Sequence, residues 1–227
     1  GHQLNDSIFT FRINHLNKIV PFIDKSELLF VHIPKTGGSS IEQKFNIHNI
    51  NDEVDTGEYF YDLSSDYFLL NYHTYNCIFA SHHFIPKLIK EHNPERYEKY
   101  KKFTIIRNPY TRCISEYFFR EHKSYFDDGE FHNWFKKFCC DNFICDHYLP
   151  QVEYFNEIDY DHVIKFENLE NDFNNMCDLY NIPKGLPLVN SSSINTNDLV
   201  DKLSSNSIDA INSRYHRDFT DLGYKFM

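Results

Sequence analysis

Four short apolar runs, each bounded by turn signals, punctuate the chain: LLFVHI at 28–33, CIFASH at 77–82, FTIIR at 103–107 and DHVIKF at 161–166. Short runs rich in β-branched and aromatic residues are what strands buried in a parallel sheet look like. Between them the apolar spacing becomes helical. SSIEQKFNIH opens with Ser39 and Ser40, which are able to cap a helix. Pro109 suits the first turn of PYTRCISEYFFREH. ENLENDFNNMCDLYN places Leu169, Phe173, Met176 and either Leu179 or Tyr180 on one face. Strands alternating with helices predict an α/β fold: a central, mainly parallel sheet with helices on both sides. Residues 51–75 and 122–150 have weaker periodicity and are expected as insertions around the site, with 1–27 as an N-terminal extension. At 227 residues the chain suits one domain spanning 1–227.

Composition narrows the class. Hydrophobic residues make up 41% and charged residues 25%, as in soluble globular proteins. The aromatic content of 17% favours a packed core and aromatic-lined grooves over disorder. A formal net charge of −10 argues against nucleic acid as a partner, so an anionic ligand needs a local site working against that background. No stretch approaches the roughly 20 apolar residues that span a bilayer. The opening GHQLNDS has neither the basic nor the apolar region of a signal peptide. A soluble domain is expected, cytoplasmic if the chain is complete and in the Golgi lumen if an anchor precedes it. The oligomeric state is left open. Cys77, Cys113 and Cys177 read as buried thiols. The cluster of Cys139, Cys140, Cys145 and His147 matches no common zinc spacing, so burial is preferred there over a disulfide or a metal.

Chemistry concentrates in two strand–turn–helix segments. In FVHIPKTGGSS (30–40), Gly37 and Gly38 let the backbone curl so that successive amides point inward at a helix start. Thr36, Ser39 and Ser40 add hydroxyl donors, and Lys35 adds a mobile cation. This is an anion cradle. The nucleotide-binding loop of ATPases, however, places its lysine after four intervening residues and a second glycine, and here the lysine precedes both glycines. The second segment, KKFTIIRNPYTRCISEYFF (101–119), sets Arg107 at a strand end facing the crevice of an open sheet, with Ser115 about two helical turns on. A guanidinium fork suits a phosphate dianion. Arg112 reads as structural.

Together these segments resemble the Golgi-type carbohydrate sulfotransferases and their soluble bacterial relatives. DHYLPQVEYF (146–155), DYDHVIKFENLENDF (159–173) and YHRDFTDLGY (215–224) extend the likeness, in the family's order, over roughly residues 28–226. The resemblance implies a P-loop-like three-layer α/β sandwich and the co-substrate 3′-phosphoadenosine-5′-phosphosulfate, with 3′,5′-diphosphoadenosine as product and no metal requirement. It also implies that residues Lys35 to Ser40 wrap the phosphosulfate, that Lys35 neutralises charge as the sulfuryl group leaves, and that Arg107 and Ser115 take the 3′-phosphate.

In-line transfer to a hydroxyl calls for a base titrating near neutrality. FASHHF places His82 and His83 at a strand end, and strand neighbours point to opposite faces, so one of the two is expected at the site. The resemblance favours His82. His32, just before the loop, reads as structural. His83, His147 and Gln151 are candidate acceptor contacts, and the expected acceptor is a saccharide or glycan. Tyr59, Phe60, Tyr61, Tyr67, Phe68 and Tyr72 read as core packing rather than sugar platforms. Two rivals remain at this level: a small-molecule kinase of the P-loop class, and an inactive nucleotide- or glycan-binding module of the same fold.

Overall fold

The computed structural model describes residues 22–47, 67–72, 75–140, 143–189 and 194–227. Tyr59, Phe60 and Tyr61 lie outside the described residues, as do the side chains of Tyr67, Phe68, Tyr72, Cys77, Cys140 and Cys145.

The chain is a mixed α/β protein. Strands β1 (Phe22–Ile23), β2 (Leu28–Val31), β5 (Lys101–Ile106) and β7 (His162–Lys165) form a sheet in the order β1-β2-β5-β7. β2, β5 and β7 run parallel, and β1 is antiparallel at the edge. Side-chain alternation along β2 shows why it lies at the centre. Leu28 and Phe30 face a cluster containing Ile41 of α1 (Gly38–Phe45) and Phe173 and Met176 of α6 (Leu169–Leu179). Leu29 and Val31 face the opposite cluster, which holds Leu88 and Ile89 of α2 (Pro86–His92) and Tyr97 of α3 (Pro94–Lys99). A strand buried on both faces needs consecutive apolar residues, and each such side chain contributes roughly 1.5–3 kcal/mol. The result is the expected three layers.

On α6 the packed residue at the helix end is Tyr180, against the cluster, while Leu179 is 68% exposed. A third cluster joins α4 (Pro109–Glu121), α5 (Asp128–Cys140), α7 (Ser205–Arg214) and α8 (His216–Leu222) through Tyr110, Tyr117, Phe131, Phe135, Ile211 and Phe219. Segment 122–150 thus holds α5 and its packing against the helical layer. Cys113 and Cys177 are buried thiols, and Cys139 is exposed.

The run at 77–82 departs from its expected place. It forms β4 (Tyr75–Ala80), paired antiparallel with β3 (Tyr67–Tyr72) and parallel with β6 (Phe143–Cys145), in a separate sheet. A hairpin partner a few residues away closes a short loop at little entropic cost, and this satisfies the strand locally. β4 ends at Ala80, and residues Ser81–His83 form a turn of 3-10 helix.

Asp218 of α8 locks the region behind the second segment. Its two carboxylate oxygens accept from the backbone N–H groups of Val152 and Gln151, each at 3.0 Å. Burial pushes the Asp218 carboxyl up, against the opposing pull of Arg112 and those backbone donors. Gln151 in turn clasps the Arg107 backbone, accepting its N–H at 2.9 Å and donating to its carbonyl at 2.7 Å. Asp218→Asn keeps the shape but turns an N–H toward a backbone N–H. It is expected to cost about 2–3 kcal/mol in urea denaturation. An unchanged midpoint would show that the carboxylate is not what holds this corner.

Candidate active site

The first segment leaves β2 at Val31 and enters α1 through two left-handed residues, Lys35 (φ 64°) and Gly37 (φ 87°). α1 starts at Gly38 with Gly37 as its N-cap and without a side-chain cap. Ser39 and Ser40, expected to cap the helix, instead lie half-buried within its first turn. The amides at the helix start therefore keep their anion-binding capacity. Thr36 is fully buried and its hydroxyl donates to Ile33 O at 2.7 Å, so it closes the turn and has only its backbone amide to offer a ligand. Gly38 answers to close approach. A Cβ there would sit 2.2 Å from His32 Cδ2 and 2.3 Å from His32 Nε2, well inside contact distance.

Two buried guanidinium groups hold the loop from behind. Arg112 donates to Pro34 O (3.0 Å), Leu149 O (2.9 Å) and His147 O (3.3 Å), so it is a structural clamp on carbonyls. Arg107 donates from Nη1 to Lys35 O (3.0 Å), from Nη2 to Thr196 Oγ1 (2.7 Å) and from Nε to Thr111 Oγ1 (3.1 Å). Its guanidinium carbon lies 3.9 Å from the centroid of the Phe166 ring. Burial pulls Arg107 down to about 10, opposed by Glu167, so it stays charged at neutral pH. These bonds use three of its five N–H donors. Ser115 is half-buried on α4.

In front of the loop, Lys35 Nζ sits 4.4 Å from the centroid of the Phe119 ring. Burial pulls its ammonium below the usual lysine range, opposed by Glu116. His147 stacks on the same Phe119 at 5.5 Å. Its Nδ1 pairs with Glu116 Oε2 at 2.8 Å, and Arg120 Nε donates to Glu116 Oε1 at 2.8 Å. Burial pushes the Glu116 carboxyl up, but His147 and Arg120 outweigh it and hold it below the usual range.

The histidine pair completes the arrangement. His83 is buried, with Nδ1 2.9 Å from Asp146 Oδ2 and its carbonyl accepting from Tyr154 OH at 2.9 Å. His82 is half-buried, and the two ring centroids are 3.8 Å apart. The expectation that they point to opposite faces does not hold, because they stand on a 3-10 turn rather than a strand. His32 lies 4.7 Å from the His83 ring and 5.8 Å from the His82 ring, with Nδ1 bonded to Glu42 at 2.5 Å. Its other edge covers Gly38. His147 meets His83 at 5.1 Å.

Lys35, His82, His83 and His147 are thus linked by contact to the loop. Gln151 is not: it is fully buried and spent on the Arg107 backbone. Glu42, Glu116, Asp146, Phe119 and Thr196 went unseen in the sequence. Asp146 lies 63 positions from the histidine it holds, and Glu116 lies 31 positions from His147. Only the Glu116–Arg120 pair, one helical turn apart, left a local signal.

A loop of this kind at the carboxyl edge of a parallel sheet, with basic residues around it, is where an α/β protein takes an anionic ligand. The model of the sulfotransferase family matches residues 21–225, and the chain belongs to that family. It is a transferase of sulfur-containing groups. No curated protein and no solved structure gives a significant match to the chain.

Two measurements probe this geometry. Gly38→Ala must displace the His32 ring, and equilibrium unfolding is expected to show a loss of about 1–3 kcal/mol; wild-type stability would mean that the ring yields freely. Glu116 has a depressed carboxyl, so its contribution is present above the unfolded value near 4.5 and lost as pH falls through the folded one. Acid titration of unfolding is expected to show a stability loss below that pH that is smaller in Glu116→Gln. Superimposable curves would remove the carboxylate from the account.

Proposed function

We propose that this sulfotransferase takes its sulfuryl group from 3′-phosphoadenosine-5′-phosphosulfate and moves it to a hydroxyl of a saccharide acceptor, with His82 as base. The single observation that carries the reading is that one ring, His32, bridges the loop and the proposed base. The His32 ring covers Gly38 at the helix start and also meets the rings of His82 and His83. A donor held on the loop amides therefore presents its reactive end beside a histidine.

The chemical fit supports the donor. The α1 N-terminus, Lys35 and the hydroxyls of Ser39 and Ser40 form a set for a dense anion, and the two N–H groups of Arg107 that its bonds leave over offer a second basic point, with Ser115 as the hydroxyl that the family resemblance adds there. Donor binding supplies the activated sulfuryl group and a phosphate leaving group. His82 takes the acceptor's hydroxyl proton as the acceptor oxygen forms its bond to sulfur and the bond from sulfur to the phosphate oxygen breaks. Lys35 and the loop amides face the negative charge gathering on that departing oxygen. Burial strips water from the Lys35 ammonium, and a less hydrated cation stabilises such charge more strongly. His83 is anchored by Asp146 and positions its neighbour. The overall charge of −10 disfavours a heavily anionic polymer and leaves neutral or lightly charged glycans as the favoured acceptors.

Calorimetry without Mg²⁺ is expected to give tighter binding of 3′,5′-diphosphoadenosine than of ATP; the reverse order would point to a kinase. His82→Ala is expected to bind the diphosphonucleotide nearly as wild type and to lose about 10²-fold or more in transfer to glycans from labelled donor. Full transfer by His82→Ala would remove it as the base.

A further inference from the structure

The three histidines around the loop have a second capacity. One ring nitrogen from each of His32, His82 and His83 lies within 4.8 Å of the other two. In a tetrahedral zinc site with Zn–N bonds of about 2.0 Å, ligand nitrogens stand about 3.3 Å apart. Binding one ion draws the three rings together by that difference.

The surroundings match those of a ligand set rather than of a simple ring stack. His32 Nδ1 is bonded to Glu42, and His83 Nδ1 to Asp146. Both carboxylates are almost fully buried, at 4% and 1% exposure. An ionised carboxylate can only accept, so each fixes the Nδ1–H tautomer and makes Nε2 the lone-pair nitrogen. Carboxylate–histidine pairs of this kind are the usual outer support of metal-binding imidazoles. Asp146 is itself held, its second oxygen accepting from the His147 backbone N–H at 2.8 Å. At His32 the Nε2 edge packs against the bare backbone of Gly38, where any side chain would begin 2.3 Å away.

We propose that His32, His82 and His83 take one divalent transition-metal ion of the zinc class, and that this ion blocks sulfuryl transfer. Three neutral imidazoles donate lone pairs, and the remaining position is left for water or another small ligand, as in open three-histidine sites. The block rests on the reading of His82 as base, because a lone pair bound to metal cannot take the acceptor's proton. The metal site itself does not depend on that reading.

Cobalt(II) titration of the intact protein is the test, followed by visible spectroscopy, with zinc displacement as the second arm. One equivalent with the intense visible bands of tetrahedral cobalt is expected, without the near-ultraviolet charge-transfer band that cysteine ligands would add. His82→Ala, at a half-buried position, and Asp146→Asn, outside the ligand set, are each expected to weaken binding by about 10–100-fold. Zinc is expected to inhibit wild-type transfer at the concentration that displaces cobalt, and chelator to restore it. Absence of saturable binding, a thiolate band, or unchanged affinity in both variants would overturn the metal site. Saturable binding with undiminished transfer would uphold the metal site and instead overturn the block, and with it His82 as base.

Discussion

The site depends on two buried guanidinium groups that satisfy the carbonyls of a turn. Arg112 bonds to Pro34 O and Arg107 to Lys35 O, at successive residues of the loop. Between them they stabilise a lysine in the left-handed region, a conformation that costs a non-glycine residue about 1–2 kcal/mol. Turned this way, Lys35 leaves the loop toward Phe119 while the backbone continues into an uncapped helix start. A buried charge is tolerable only when paired or hydrogen-bonded. Each arginine meets that demand with carbonyls and hydroxyls, so the loop and its clamps stabilise one another.

The same economy of burial organises the histidines. His32, His83 and His147 each pair through Nδ1 with a carboxylate that the fold has taken almost out of water: Glu42, Asp146 and Glu116. The three carboxylates come from α1, from the turn after β6 and from α4. Imidazoles held this way keep fixed orientations, which is what proton transfer and lone-pair donation both require. His82 differs from its neighbour in being half-buried, and its ring lies against that of His83, which Asp146 holds.

Around the site, the long-range contacts come from the chain's later half. Asp218 near the C-terminus holds the turn at 151–155, Gln151 of that turn holds the Arg107 backbone, and Thr196 accepts from the Arg107 side chain. Arg107 therefore gathers three distant segments before any phosphate is considered. Gln151, read in the sequence as an acceptor contact, belongs to this framework.

Local pattern was enough for the parts of the molecule decided within a few residues. Leu28 to Val31 are apolar without interruption because both faces of their strand are covered, and that shows directly in the letters. PKTGGSS likewise announces a curled backbone at a helix start, since glycine's freedom at positive φ is a property of the residue itself. What the letters could not carry was pairing across distance. The second apolar run went to another sheet because a nearer strand was available, and its two histidines fell on a turn where strand alternation has no force. Thr36 turned inward to its own loop, and Glu42, Glu116 and Asp146 became histidine partners only when separate elements packed. A carboxylate bears no local mark of the ring it will meet, because burial and pairing are created together when the chain closes on itself.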